Sequence, residues 1–228
     1  MGQYDITGKY PCIVKREGQL EYARYNYENR IIILRELATL CRFHFDHSCF
    51  IQRIIVTIIC EIAIIAKQCN DMELRTRLDG LAGLANSSIS DRVRQEVEYR
   101  IRKVLAYLEG RSPEEVPMPE MPTLLVYPWS ITIEDINRSQ AYPHRRIIMS
   151  ELKRLVCSPI PYYHFRNGAH NMLSLIHDFS PNGESRQCLK NAIDSLKDWR
   201  IVTEEDFRQL DLSLERAIEL SPEEEILP

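Results

Sequence analysis

The chain has 228 residues, 44% of them hydrophobic, and a formal charge of −4, which suits one or two globular domains and excludes a strongly basic nucleic-acid-binding composition. The charge is uneven: residues 1–110 carry 16 basic against 14 acidic groups (net +2), and residues 111–228 carry 13 against 19 (net −6). Seven scattered cysteines fit a reducing, intracellular setting better than a disulfide scaffold.

Residues 1–18 read as polar and irregular, with Gly8 and Pro11 as breakers. They contain no apolar signal-peptide core. Gly2 invites a myristoylation reading, but Ile6 stands where that motif needs Ser or Thr.

Leu20, Ala23, Tyr27, Ile31, Leu34, Ala38, Cys41 and Phe45 step by three or four. That spacing predicts one long helix over 19–45. The next segment, 48–69, is apolar on nearly every face from Ile54 to Ala66. A helix of that kind is surrounded by other helices or by lipid. A membrane span needs about 20 mostly apolar residues, and Glu61, Gln52 and Arg53 interrupt this one. A buried core helix is the expectation, with Glu61 at its solvent edge and no membrane contact.

Asn70 is read as the end of that helix and Asp71 as the start of a third, with Leu74, Leu78, Leu81 and Ala85 on one face. Gly80 and Gly83 weaken it and invite close helix approach. A fourth helix carries Val93, Val97, Ile101, Val104 and Leu108 and stops at Gly110. These elements form an expected N-terminal four-helix lobe over 19–110.

Residues 111–122 hold four prolines within 112–122, which rules out a continuous helix and reads as a stiff spacer. A C-terminal lobe over 123–220 follows. It has a short apolar run at 123–127, a turn of helix at 132–138, and helices near 143–157, 169–179, 184–199 and from Thr203 onward. Pro159 to Arg166 reads as a proline-bounded aromatic loop. The tail 221–228 is acidic. The predicted fold class is all-α: an irregular multi-helix bundle or helical-repeat-like array in two lobes joined by the Pro-rich stretch.

No motif for catalysis survives. Glycines are scattered, with no phosphate loop or nucleophile elbow. Cys157 and Cys188 flank His164, His170 and His177, but the sequence gives them no proximity. Cys41, His44, His47 and Cys49 offer four zinc-ligand types within nine residues. Their spacing lacks the long loop that lets a chain wrap a metal, so the expectation is no cofactor and no enzyme.

Aromatic clusters suggest docking surfaces instead: Tyr22 and Tyr25 on the first helix, and Tyr162, Tyr163 and Phe165 in the second half. The leading expectation is a non-enzymatic helical subunit or adaptor that binds other protein subunits or itself. Its isoleucine-rich helices exceed what a four-helix lobe easily hides, so the isolated protein is expected to self-associate. The alternative is a nucleic-acid-binding protein using Arg92, Arg94, Arg102 and Lys103 of the fourth helix and Arg145 and Arg146 of a later one. Glu96 and Glu98 dilute the first of these basic sets.

Overall fold

A computed structural model describes residues 8–11, 18–42, 49–86, 91–120, 145–181, 183–197 and 203–221. Among these residues the protein is all α-helix, with nine α-helices and no strand. The helices are α1 (Gln19–Glu28), α2 (Arg30–Leu40), α3 (Cys49–Gln68), α4 (Met72–Ala85), α5 (Asp91–Leu108), α6 (Arg145–Val156), α7 (Tyr162–Phe179), α8 (Glu184–Lys197) and α9 (Glu204–Glu219). A 3-10 turn occupies Pro113–Glu115. The chain divides into two compact units, Met1–Tyr4 with Val14–Tyr127, and Asp5–Ile13 with Pro128–Pro228.

In the first unit, the single long helix expected over 19–45 is two. Asn29 leaves helical geometry at φ −99° and ψ 19°, and its side-chain amide donates to the Tyr25 carbonyl at 3.0 Å. The break is one residue long, so the apolar spacing runs through it unaltered. The two halves serve different neighbours: α1 packs on α3, and α2 packs on α5. The sequence shows the shared stripe but not the change of partner.

Helix α3 is the centre of this unit, contacting α1, α2 and α4. Ile51, Ile54, Ile55, Ile58, Ile59, Ile62 and Ile65 are all buried. Each stabilises the fold by about 1.5–3 kcal/mol relative to an exposed position. Arg53, Thr57, Cys60, Ile64 and Lys67 form a narrow exposed stripe at steps of four and three. Glu61 is not on that stripe. It is buried and accepts a hydrogen bond from Asn26 Nδ2 of α1 at 2.7 Å, which corrects its expected place at the solvent edge. A carboxylate inside an apolar interface needs such a donor.

The end of α3 and the start of α4 follow the expected chemistry. Asn70 adopts φ 59°, and Asp71 N–H reaches back to the Ala66 carbonyl at 2.8 Å, a Schellman closure. The Asp71 carboxylate then caps α4 through Leu74 N–H at 3.2 Å. Leu74, Leu78, Leu81 and Ala85 are buried as the spacing requires. A Cβ at Gly80 or Gly83 meets nothing within 4 Å, so neither glycine serves a close helix approach.

After Gly110 the chain lies back along α5. Gln95 Nε2 donates to the Pro119 carbonyl at 2.8 Å, and Lys103 Nζ lies 3.2 Å from Glu114 Oε2. Residues 111–120 thus form part of the first unit's surface. The runs 123–127 and 132–138, with His44, His47 and the tail after Ser221, lie outside the described residues.

In the second unit, α9 packs on α6 and α8, and α7 packs on α6 and α8. Thr203 and Asp206 close a reciprocal capping box at the start of α9. The expected aromatic loop is instead helix: α7 begins at Tyr162, with Pro161 at its N-cap. Tyr162, Phe165, Ala169, Leu173 and Ile176 form its buried face. Proline is compatible with a helix start because that position needs no N–H donor.

The irregular N-terminal segment contributes to this second core. Tyr10 is buried, stacked on Phe207 at 5.8 Å. Its hydroxyl donates to Asp211 Oδ2 at 3.1 Å, and Lys9 Nζ lies 2.8 Å from the same oxygen.

Candidate interaction cleft

Helices α2 and α5 run antiparallel, as their side-chain pairs show. Arg35 meets Glu109, and Arg42, seven residues later, meets Glu98, eleven residues earlier. With residues 111–117 on a third side they enclose an open cleft of about 710 Å³. Four arginines line it: Arg35, Arg42, Arg102 and Arg111. Three carboxylates stand among them, Glu98, Glu109 and Glu115, and Ala38, Leu105, Val116 and Pro117 supply apolar wall.

Glu98 anchors one end. It is 1% exposed and stands on the buried face of α5 beside Val97 and Ile101. Its Oε1 accepts from Arg42 Nε at 2.8 Å and from Arg102 Nε and Nη2 at 2.9 and 2.6 Å. The contact with Glu98 raises the Arg42 pKa, so that guanidinium stays charged. Arg42 and Arg102 nevertheless remain 44% and 40% exposed. A buried carboxylate thus holds two guanidiniums in place while both face solvent.

Glu109 anchors the other end. Arg35 Nη2 bonds its Oε1, and Arg111 Nε and Nη2 bond its Oε2. Hydrogen bonds from Arg35 and then Arg111 hold the Glu109 carboxyl below the usual range. Each cluster carries two positive charges around one negative, a net excess of one at each end. Guanidiniums are rigid, planar donors suited to carboxylate and phosphate.

The aromatic candidates for docking are placed as follows. Tyr25, Tyr162 and Phe165 are buried core residues, and Tyr22 is half-buried. Tyr163 is 51% exposed, with its ring edge-on to His164 at 5.5 Å. Tyr162 packs edge-on against Phe165 and Phe207, and its hydroxyl donates to the Leu196 carbonyl at 3.4 Å. The two aromatic sets belong to different compact units.

Of the basic residues, Arg102 is bound to Glu98 in the cleft, and Lys103 faces Glu114 and the Tyr99 ring. Arg92 is exposed, and Arg94, Arg145 and Arg146 are half-buried. Burial pushes the thiols of Cys157 and Cys188 up, away from the thiolate a nucleophile needs. Among the described residues no group of three or more His, Cys, Asp or Glu could hold a metal ion. None of their helices is long and apolar enough to cross a membrane. His44 and His47 of the proposed zinc set lie outside the described residues.

Sequence reasoning missed Arg35, Arg42, Glu98, Glu109 and Arg111 as a group. The available signal was Glu98 itself, an acid on the same stripe as Ile101 and Leu105. An acid in an apolar stripe demands a fixed partner, and its partners here come from 56 and 4 residues away. No family model, no curated protein and no solved structure matches this chain.

Proposed function

We propose that this chain is a non-enzymatic, all-helical subunit or adaptor of an intracellular assembly. The observation that carries this reading is the cleft between α2, α5 and residues 111–117. There Glu98 holds two solvent-facing guanidiniums in fixed positions. Such an arrangement suits recognition of an anionic group on a partner. The isoleucines of α3 do not support self-association, because all but Ile64 of those described are buried within their own unit.

The supporting experiment is co-purification from the source cells, comparing the wild-type chain with an Arg35→Gln/Arg42→Gln variant. A defined protein set recovered with wild type and reduced at least tenfold with the variant supports the reading. The same set with both proteins contradicts it.

The second reading, nucleic-acid binding, draws on the same exposed arginines. It requires association that falls steeply as salt rises. Glu98, Glu109 and Glu115 stand among those arginines and oppose a phosphate backbone.

A further inference from the structure

Resting on the reading of this cleft as a docking site, we propose that it binds an extended acidic peptide segment. Two carboxylates of the segment meet the two guanidinium clusters, and an apolar residue between them sits against Leu105.

The spacing follows from helix geometry. Glu98 and Glu109 are eleven residues apart on α5, about 16 Å at the helical rise, and Arg35 and Arg42 are seven apart in the chain, about 10 Å on the same rise. The two anchor points are therefore about 10–16 Å apart. An extended chain covers that distance in about three to five residues. An extended segment of that length sets one acidic side chain at each guanidinium cluster.

The charge pattern selects among anions. Arg42 and Arg102 each give Glu98 their Nε and one Nη donor, two of the five N–H donors a guanidinium carries. The remaining donors can bind an incoming carboxylate in the forked geometry arginine favours. Along the two helices Ala38, Thr39 and Leu105 stand between the clusters, and Val116 and Pro117 add apolar lining. A nucleic acid places a charge at every nucleotide, one per strand for about every 3.4 Å of duplex axis. It would set phosphates against that apolar lining and against Glu115. A peptide with sparse acids and an apolar residue between them matches both features.

The test is fluorescence anisotropy with a labelled extended peptide carrying two glutamates about four residues apart and a leucine between them. The same peptide with glutamine for glutamate and a single-stranded oligonucleotide serve as comparisons. Arg42→Gln leaves Glu98 bound by Arg102, and far-ultraviolet circular dichroism checks that the helices persist. Glu115→Gln removes an exposed opposing carboxylate and requires no change in the fold.

The expected result is saturable binding of the acidic peptide and none of the glutamine peptide. Binding weakens at least tenfold in Arg42→Gln or Arg35→Gln and strengthens severalfold in Glu115→Gln. Indifference to all three substitutions, absence of saturable binding, or tighter binding of the oligonucleotide each overturns the proposal. If the peptide fails while the Arg35→Gln/Arg42→Gln variant still loses its co-purifying proteins, the acidic segment is wrong and the docking cleft stands. If both fail, both readings fall.

Discussion

The hydroxyl of Tyr10 donates a hydrogen bond to the carboxylate of Asp211 at 3.1 Å, joining positions 201 residues apart in sequence. Asp211 is 2% exposed on the apolar face of α9, and Lys9 and Lys153 flank it at 2.8 and 3.7 Å. The segment before α1 therefore supplies both a ring and a charge to the second unit's core. Replacing Tyr10 by alanine should destabilise that unit by about 3 kcal/mol, the scale for deleting a buried aromatic ring. Tyr10→Phe keeps the stack on Phe207 and loses one hydrogen bond, costing about 1 kcal/mol. Urea unfolding followed by tryptophan fluorescence separates the two.

The same contact sets an alkaline limit. The hydrogen bond to Asp211, then that to Tyr10, raises the Lys9 pKa, and burial raises that of the Tyr10 phenol. Both groups have folded values above their unfolded ones, which lie at about 10. Their stabilisation is complete below that pH and declines as pH rises through the folded values. Unfolding midpoints measured from about pH 9 to 11 should fall faster for wild type than for Lys9→Met. Equal slopes would contradict the assignment.

On the acid side the cleft behaves oppositely. Arg35 and Arg111 depress the Glu109 pKa, so its contribution is present above the ordinary glutamate value of about 4.3. It is lost as pH falls through the folded value. Glutamine at position 109 should flatten that acid limb, measured by the same unfolding midpoints.

Glu98→Ala should cost about 2 kcal/mol. Breaking a buried pair costs more than that, but Arg42 and Arg102 are exposed enough to regain water. Arg42→Ala alone should cost under about 1 kcal/mol, because Arg102 still bonds the carboxylate. A double-mutant cycle over Arg42 and Arg102 should show strong coupling through their shared acceptor. Additive effects would mean the two guanidiniums act independently.

Gly80→Ala and Gly83→Ala should each stabilise the first unit by up to about 1 kcal/mol, the helix-propensity difference. Both positions have open space at Cβ, so propensity acts without opposition. A loss of stability in thermal unfolding would show a contact beyond those described.

Much of the helical architecture was legible because apolar spacing records burial directly. The stripes of α4 and α9 pack as their leucines require. The break at Asn29 was not legible, since a one-residue interruption leaves the 3-4 phase intact. The start of α7 was readable in the Tyr162, Phe165, Ala169 spacing but was hidden by Pro159 and Pro161, which suggest a loop. The cleft was the least legible part. Its chemistry depends on which arginine reaches which glutamate across 56 and 74 residues, and sequence spacing carries no such pairing. Glu61, Glu98 and Asp211 share one pattern, an acid among isoleucines and leucines at helical spacing. Each turns out buried with a bonded partner.

The most direct measurement of the central claim is nuclear magnetic resonance of the arginine Nε–H groups during titration with the acidic peptide. The Arg42 and Arg102 signals, held by Glu98, should shift saturably together with backbone signals of residues 111–117, while those of Lys9 and Tyr10 stay still. Shifts confined to other arginines, with Arg42 and Arg102 unmoved at saturation, would contradict that claim.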